Sequence, residues 1–236
     1  MTAEAAAPLP GDSRERPASK GGVVYAALKE AILSGVLPPG APVAKAALCA
    51  QLGVSRAPVA AALSRLAFER LVTVAPQHGS FVTPISMDDV RECMLVRRAV
   101  EAETAALAAE RRPAGLVEAL DRLLRYQGAA ADAGDAPGLY ALDVAFHDAI
   151  LASLHLRQAA AILDGLRARL ERIRRLNGAP PGRAAAVVAG HRTVRDAIAA
   201  GAPDGARAAM TRHLTDTAAL FERFAAHDPA FFSDPR

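Results

Sequence analysis

Cysteine is scarce in this chain of 236 residues: there are two, Cys49 and Cys93, and no CxxC spacing occurs. Two thiols cannot build a disulfide framework, and their scarcity suits a reducing compartment, so the cytoplasm is the expected location. Aromatic residues make up 4% of the chain. No apolar run approaches the ~18 residues needed to span a bilayer, and the opening MTAEAAAPLPGDSRERPASK lacks a basic start followed by an apolar stretch. Both absences argue against a membrane span or a secretory leader. What is abundant is aliphatic: 52% of residues are hydrophobic against 22% charged, enough to bury a sizeable core and inconsistent with a disordered polymer. The length allows one large domain or two small ones.

The net charge of +3 is concentrated at the front. Residues 1–85 hold eight Lys and Arg against five Asp and Glu, whereas residues 86–236 hold twenty of each. This mild basic bias is compatible with a polyanionic partner and does not identify one.

Residues 1–20, rich in Ala, Pro and Gly, read as a flexible tail. From Val23 the pattern turns helical: Val24, Leu28 and Ile32 recur every four residues until Gly35 and Pro38-Pro39-Gly40 stop them. A short helix fits VAKAALCAQL, with Gly53 supplying a positive-φ turn. Ser55 then reads as the N-cap of RAPVAAALSRLAFERL, whose Val59, Ala62, Leu63 and Leu66 form one inward stripe. LVTVA and SFVT, separated by PQHG, read as a β-hairpin with Gly79 in the turn. Helix, helix, turn, helix, hairpin is the order of a winged helix-turn-helix, in which the helix after the turn enters the DNA major groove. Ser55 and Arg56 fall at the N-terminal end of that helix, where backbone N–H groups and the helix dipole favour phosphate.

Residues 23–84 resemble the N-terminal domain of the GntR family of bacterial transcription regulators, through ALKEAILSGVLPPG, LGVSRAPVAAALSRL and LVTVAPQHGSFV in that order. The resemblance implies that Val54, Ser55, Arg56, Pro58 and Val59 open the recognition helix and that His78 and Gly79 form the wing tip. With Lys45 and Ala57 on the same presumed face, the expected duplex-contacting set is Lys45, Ser55, Arg56, Ala57, Pro58, His78 and Gly79. Some positions depart from the family. Ala46 and Ala60 stand where arginines are usual, Ala61 where a glutamate is, Ala44 where a capping serine is, and Arg70 where a glycine precedes the first wing strand. Each lost phosphate contact lowers the salt dependence of DNA binding by about one unit, so weaker or differently specified binding is expected, with Lys45, Arg65 and the cations of the tail as partial replacements.

After the hairpin nothing reads as a strand. Ser86 opens S-M-D-D, a capping box ahead of a helix to about Arg111, and helical blocks fit 114–133, 137–155, 157–177, 182–200 and 203–226. The expected fold class is mainly α: a winged helix-turn-helix domain over 21–85, an all-α bundle over 86–228 and a tail over 229–236. Asp143 and His147 are four residues apart on one helix and so face the same side. His191 and His213 lie on two later helices among apolar neighbours. Three imidazoles and one carboxylate suit a divalent cation such as zinc, nickel, manganese or iron(II), although any single histidine is more often a satisfied core or surface residue.

Residues 90–220 are similar to the FCD ligand-binding domain that follows the reader in one GntR subfamily, through RRAVEAETAALAAE, DVAFHDAILAS and GHRTVRDAIAAGAPDGARAAMTRHL. The resemblance implies Asp143, His147, His191 and His213 as metal ligands. It also implies Arg97, followed by Glu101, as the contact for the carboxylate of a small effector, with Arg98 an alternative inward arginine. The usual turn after the Asp-His helix is replaced by Leu154-His155-Leu156. His155 and His227 are expected to face water, and Cys49 to be a small core residue. The arginine-rich run 168–177 is expected to be a solvated or dimer-contacting face. The reading is then a ligand-responsive repressor of double-stranded operator DNA, acting as a homodimer whose readers sit about 34 Å apart. Two alternatives stay open: a metal-dependent enzyme, which lacks H-E-x-x-H and a spare carboxylate placed by spacing beside the quartet, and a helical interaction protein with a weakened reader.

Overall fold

The computed structural model describes residues 19–178 and 180–232. The expected tail over 1–20 lies almost wholly outside them. The reader comprises α1 (Lys20–Leu33), α2 (Lys45–Leu52), α3 (Arg56–Phe68) and the antiparallel hairpin β1 (Val72–Ala75) and β2 (Gly79–Val82). Ser19 Oγ caps α1 by accepting from the Gly22 N–H, and Val24, Leu28 and Ile32 are buried as their spacing predicts. The stripe of α3 is buried as expected. Ser55 does hold the N-cap position, but its side chain makes no capping hydrogen bond.

Two local features depart from expectation. The second helix starts at Lys45, because residues 40–43 run extended along β2: Val82 N–H donates to Ala41 O, and Val43 N–H to Ser80 O. Pro42 in their midst bridges Phe81; with no N–H of its own it suits an edge segment and not a helix interior. Arg70, the residue in place of the usual glycine, adopts φ +57 between α3 and β1. That left-handed conformation is why glycine is favoured there.

The helical half comprises α4 (Met87–Arg111), α5 (Leu116–Asp132), α6 (Ala136–Ser153), α7 (Arg157–Asn177), α8 (Arg183–Ala199) and α9 (Pro203–His227). Ser86 Oγ accepts from the Asp89 N–H at the start of α4, as the capping motif predicts. His155 takes φ +57 and closes the turn after α6. Helices α4, α8 and α9 pack together, α5 lies on α6 and α8, and the shared core includes Phe146, Ile150, Ile173 and Phe221. No described helix is long and apolar enough to cross a membrane.

The chain does not become a tail at residue 229. Pro229–Phe231 form a 3-10 turn, Phe232 bridges Ile85, and the rings of Phe231 and Phe232 lie 5.9 and 5.6 Å from that of Phe224. These aromatics cover the end of the bundle core, the hydrophobic reason for the order. Residues 233–236 lie outside the described set.

The reader meets the bundle along α7. Arg172, 3% exposed, donates to the carbonyl of Thr83, Arg175 Nη1 bonds Glu30 of α1 at 2.7 Å, and Leu176 packs against Gly35. The arginine-rich run is therefore a domain seam and not a solvated face. Its position beside the buried stripe Leu163, Leu170 and Ile173 was the available signal, since long basic side chains flanking an apolar stripe often reach across it.

Candidate metal centre

Asp143 and His147 leave α6 on the same side, and His191 on α8 and His213 on α9 complete the group. All four are buried, with His191 fully so. One donor atom from each lies within 4.8 Å of all the others. Opposite donors on a ~2.1 Å coordination sphere are ~4.2 Å apart, so small side-chain movements suffice to enclose one ion. His191 Nε2 stands 3.3 Å from His147 Nε2 and 3.5 Å from Asp143 Oδ1.

The surroundings orient these groups. His191 Nδ1 is 2.9 Å from Gln127 Oε1, and the Gln127 amide donates to Leu142 O at 3.0 Å, which turns its oxygen toward the ring. The Nδ1–H therefore belongs to Gln127, leaving the Nε2 lone pair for the cluster. Phe146 stacks on His191 at 4.1 Å and holds the ring plane. Glu101 Oε2 sits 2.5 Å from His147 Nδ1, while Arg97 engages Glu101 through Nε at 2.6 Å and Nη2 at 3.3 Å. Arg174 Nη1 donates to Asp143 Oδ2 at 2.9 Å, leaving Oδ1 toward His191. A Cβ on Gly190 would lie 2.7 Å from His213 Nδ1, so the glycine makes room for that imidazole.

The electrostatics give Asp143, His191 and His213 their donor forms. Burial would raise the Asp143 carboxyl, but Arg174 and the histidines hold it well below its ordinary range. Burial likewise favours protonation of Glu101, but Arg97 and then His147 overcome it and hold the carboxyl well below its ordinary range. Burial, followed by the neighbouring His213, pulls His191 well down, and burial with His147 pulls His213 to about 3. Neutral imidazoles and an ionised carboxylate are the forms that bind a cation, and the donor set fits the borderline divalent ions.

Sequence reasoning placed no carboxylate beside the quartet. The structure corrects this with Glu101, brought in by the fold from α4. Its ionised state and bidentate tie to Arg97 make it an orienting group for His147, not a proton shuttle matched to neutral pH. Gln127 and Arg174 were also missed, because nothing in the spacing of α5 or α7 points them toward α6. Arg97 is directed inward and Arg174 lies across from it, both lining a cleft of about 30 Å3 beside Asp143 and His147.

On the reader, Lys45, Ser55, Arg56, Ala57, His78 and Gly79 are exposed and Pro58 is half-buried. Ala46, Ala60 and Ala61 are exposed too. Arg65 is committed elsewhere: it lies 3.7 Å over the Tyr25 ring and pairs with Glu69. Cys49 packs partly against the reader core, while His155 and His227 are exposed.

Residues 92–216 match the FCD domain and residues 21–82 match the bacterial regulatory proteins of the gntR family. The HTH-type transcriptional regulator in an unstable DNA locus of Streptomyces ambofaciens is 35% identical over 211 residues, 89% of this chain and 88% of that protein. The chain belongs to the GntR family. This FCD-type GntR regulator is also 26% identical to the HTH-type transcriptional repressor RspR of Escherichia coli over 89% of the chain and 92% of RspR. In fold it matches a GntR transcriptional regulator from Rhodococcus sp. RHA1, with TM-score 0.72 and 22% identity over 87% of this chain and 98% of that one. Escherichia coli McbR/YncC gives TM-score 0.71 and 23% identity with the same coverage. These relatives are transcription regulators and not enzymes.

Proposed function

We propose that this GntR regulator is a cytoplasmic, homodimeric repressor whose DNA affinity is set by a small carboxylate effector acting at a metal-holding FCD domain. The observation that carries the reading is the four-donor cluster on three helices, with the far sides of its rings tied to Gln127 and faced by Glu101. Asp143, His147, His191 and His213 would hold one zinc, nickel, manganese or iron(II) ion. Such an ion, when bound, supplies a Lewis-acid anchor for an anionic effector.

The protein's part is differential binding. Arg97 spends its guanidinium on Glu101, and the adjoining cleft of about 30 Å3 holds little more than one water. A carboxylate arriving at Arg97 therefore exchanges for Glu101 and loosens the contact between α4 and His147. Only an effector with unequal affinity for the two arrangements shifts their populations. On the reader, Arg56 and Lys45 meet the phosphates of double-stranded operator DNA, with Ser55, Ala57 and Pro58 at the groove and His78 and Gly79 at the wing. Paired readers about one DNA turn apart require a dimer. The repressor RspR supports the sign of the regulation.

The test joins elemental analysis to a gel shift on the chain's own upstream DNA at two salt concentrations. One divalent ion per chain, lost in Asp143→Asn, together with a negative salt slope supports the reading. Protein without stoichiometric metal, or with DNA affinity indifferent to salt, overturns it.

A further inference from the structure

A cavity of about 530 Å3 opens where the bundle meets the reader, between the α5–α6 turn, the end of α7 and the start of α8. Its walls are largely apolar, including Ala131, Pro137, Leu139 and Val187, and three arginines enter it: Arg174, Arg175 and Arg183. Three carboxylates also line it, and each is already engaged. Asp143 takes Arg174, Glu30 takes Arg175, and Asp135 caps the Gly138 N–H. Arg183 alone among these cations has no carboxylate partner among the described residues, and its Nη1 is buried without a hydrogen bond. Arg174 Nε is in the same condition. Burial, with Arg174 next, draws Arg183 down to about 10, so it stays charged at neutral pH. A buried charged donor without an acceptor is costly and calls for a ligand.

We propose that this cavity, which adjoins the Arg97 cleft and shares Tyr140, Asp143 and Arg174 with it, is a second effector site that binds an organic carboxylate with an apolar body. The carboxylate pairs with Arg183 and the apolar body lies against Ala131, Leu139 and Val187. Arginine matches a carboxylate by its two parallel N–H bonds, and a cavity of this size suits a ligand of two fused rings or fewer. The same cavity touches Asp143 of the metal cluster and Glu30 of the reader, through Arg174 and Arg175 respectively. An occupant therefore bears on both the sensing cluster and the clasp that seats α1 on α7. This inference rests on the reading of the protein as an effector-responsive regulator.

The probe is 2-naphthoate, with the neutral 2-naphthamide and inorganic phosphate as controls, titrated calorimetrically into the full chain without DNA. Naphthoate is expected to bind about tenfold or more tighter than naphthamide, the equivalent of one charge-assisted hydrogen bond. Arg183→Met should erase that difference, Val187→Trp should block naphthoate by filling the space, and Arg97→Met should leave it unchanged. Unaltered metal content in Arg183→Met and Val187→Trp separates this site from the quartet. Absence of naphthoate binding, equal binding of naphthamide or phosphate, retention in Arg183→Met, or loss in Arg97→Met overturns the proposal. Because the titration uses no DNA, failure of the gel shift would strike the regulator reading and leave this result interpretable.

Discussion

The reader keeps the charges proposed for DNA outside, whereas the FCD domain keeps those proposed for a metal inside. Lys45 and Arg56 are exposed and make no ion pair among the described residues, while Glu101, Asp143, His147, His191 and His213 are all at least nine-tenths buried and touch one another. The contrast follows from the ligands proposed for each half. A phosphate backbone is met in water, where separate surface cations act almost independently and salt screens them. A single ion inside a protein is met by groups already stripped of water, so each donor must be oriented and kept in the right protonation state by a neighbour. Surface function is therefore additive, and buried function is a network.

The sharpest way to break that comparison is to cut the network at a residue that is not itself a donor. Gln127→Leu removes the acceptor for His191 Nδ1–H while keeping the volume near that of the glutamine. Metal affinity should fall roughly 10- to 100-fold, the usual effect of losing a group that orients a ligating histidine, as read by competition with a chelating dye. The reader lies elsewhere, so the salt slope of DNA binding in the absence of effector should not move. Unchanged metal affinity would mean that the ring of His191 is held by Phe146 stacking alone.

The mirror experiment adds to the additive half. Ala46→Arg and Ala60→Arg place cations on exposed positions of α2 and α3. Each restored phosphate contact should steepen the log–log salt slope of DNA binding by about one unit, and the double variant by about two. Filter binding between low and moderate salt measures it. Metal content should be identical to that of the parent, and an unchanged slope would show that this face does not meet the duplex.

The same contrast explains what could be read from residue order. The helix stripes, the hairpin, the Ser86 cap and the quartet all depend on local periodicity or on a motif, and each was legible. Glu101, Gln127 and Arg174 act on the quartet from α4, α5 and α7, and only packing brings them there. The arginine-rich segment was misread for a related reason. Its charges look solvated along the chain, yet α7 is clasped by the reader on one side and by Asp143 on the other. The edge pairing of residues 40–43 was lost because Pro42 and its neighbours carry no alternating pattern.

The smallest effect concerns a departure from the family pattern that bears on the backbone. Arg70 holds φ +57, a conformation that costs an L-residue about 1–2 kcal/mol. Its side chain recovers part of this through an exposed pair with Asp89 at 3.3 Å, and pairs of that kind are worth about 0–1 kcal/mol. Arg70→Ala loses the pair and keeps the strain. Arg70→Gly also loses the pair but relieves the strain, at an entropic cost of about 0.5–1 kcal/mol in the unfolded chain. The glycine variant should therefore unfold in denaturant about 0.5–1 kcal/mol later than the alanine variant and close to the parent. Both lack the guanidinium, so the difference between them isolates the backbone from the charge. Equal stability of the two would place the link before β1 in a relaxed conformation and remove strain as the reason glycine is usual there.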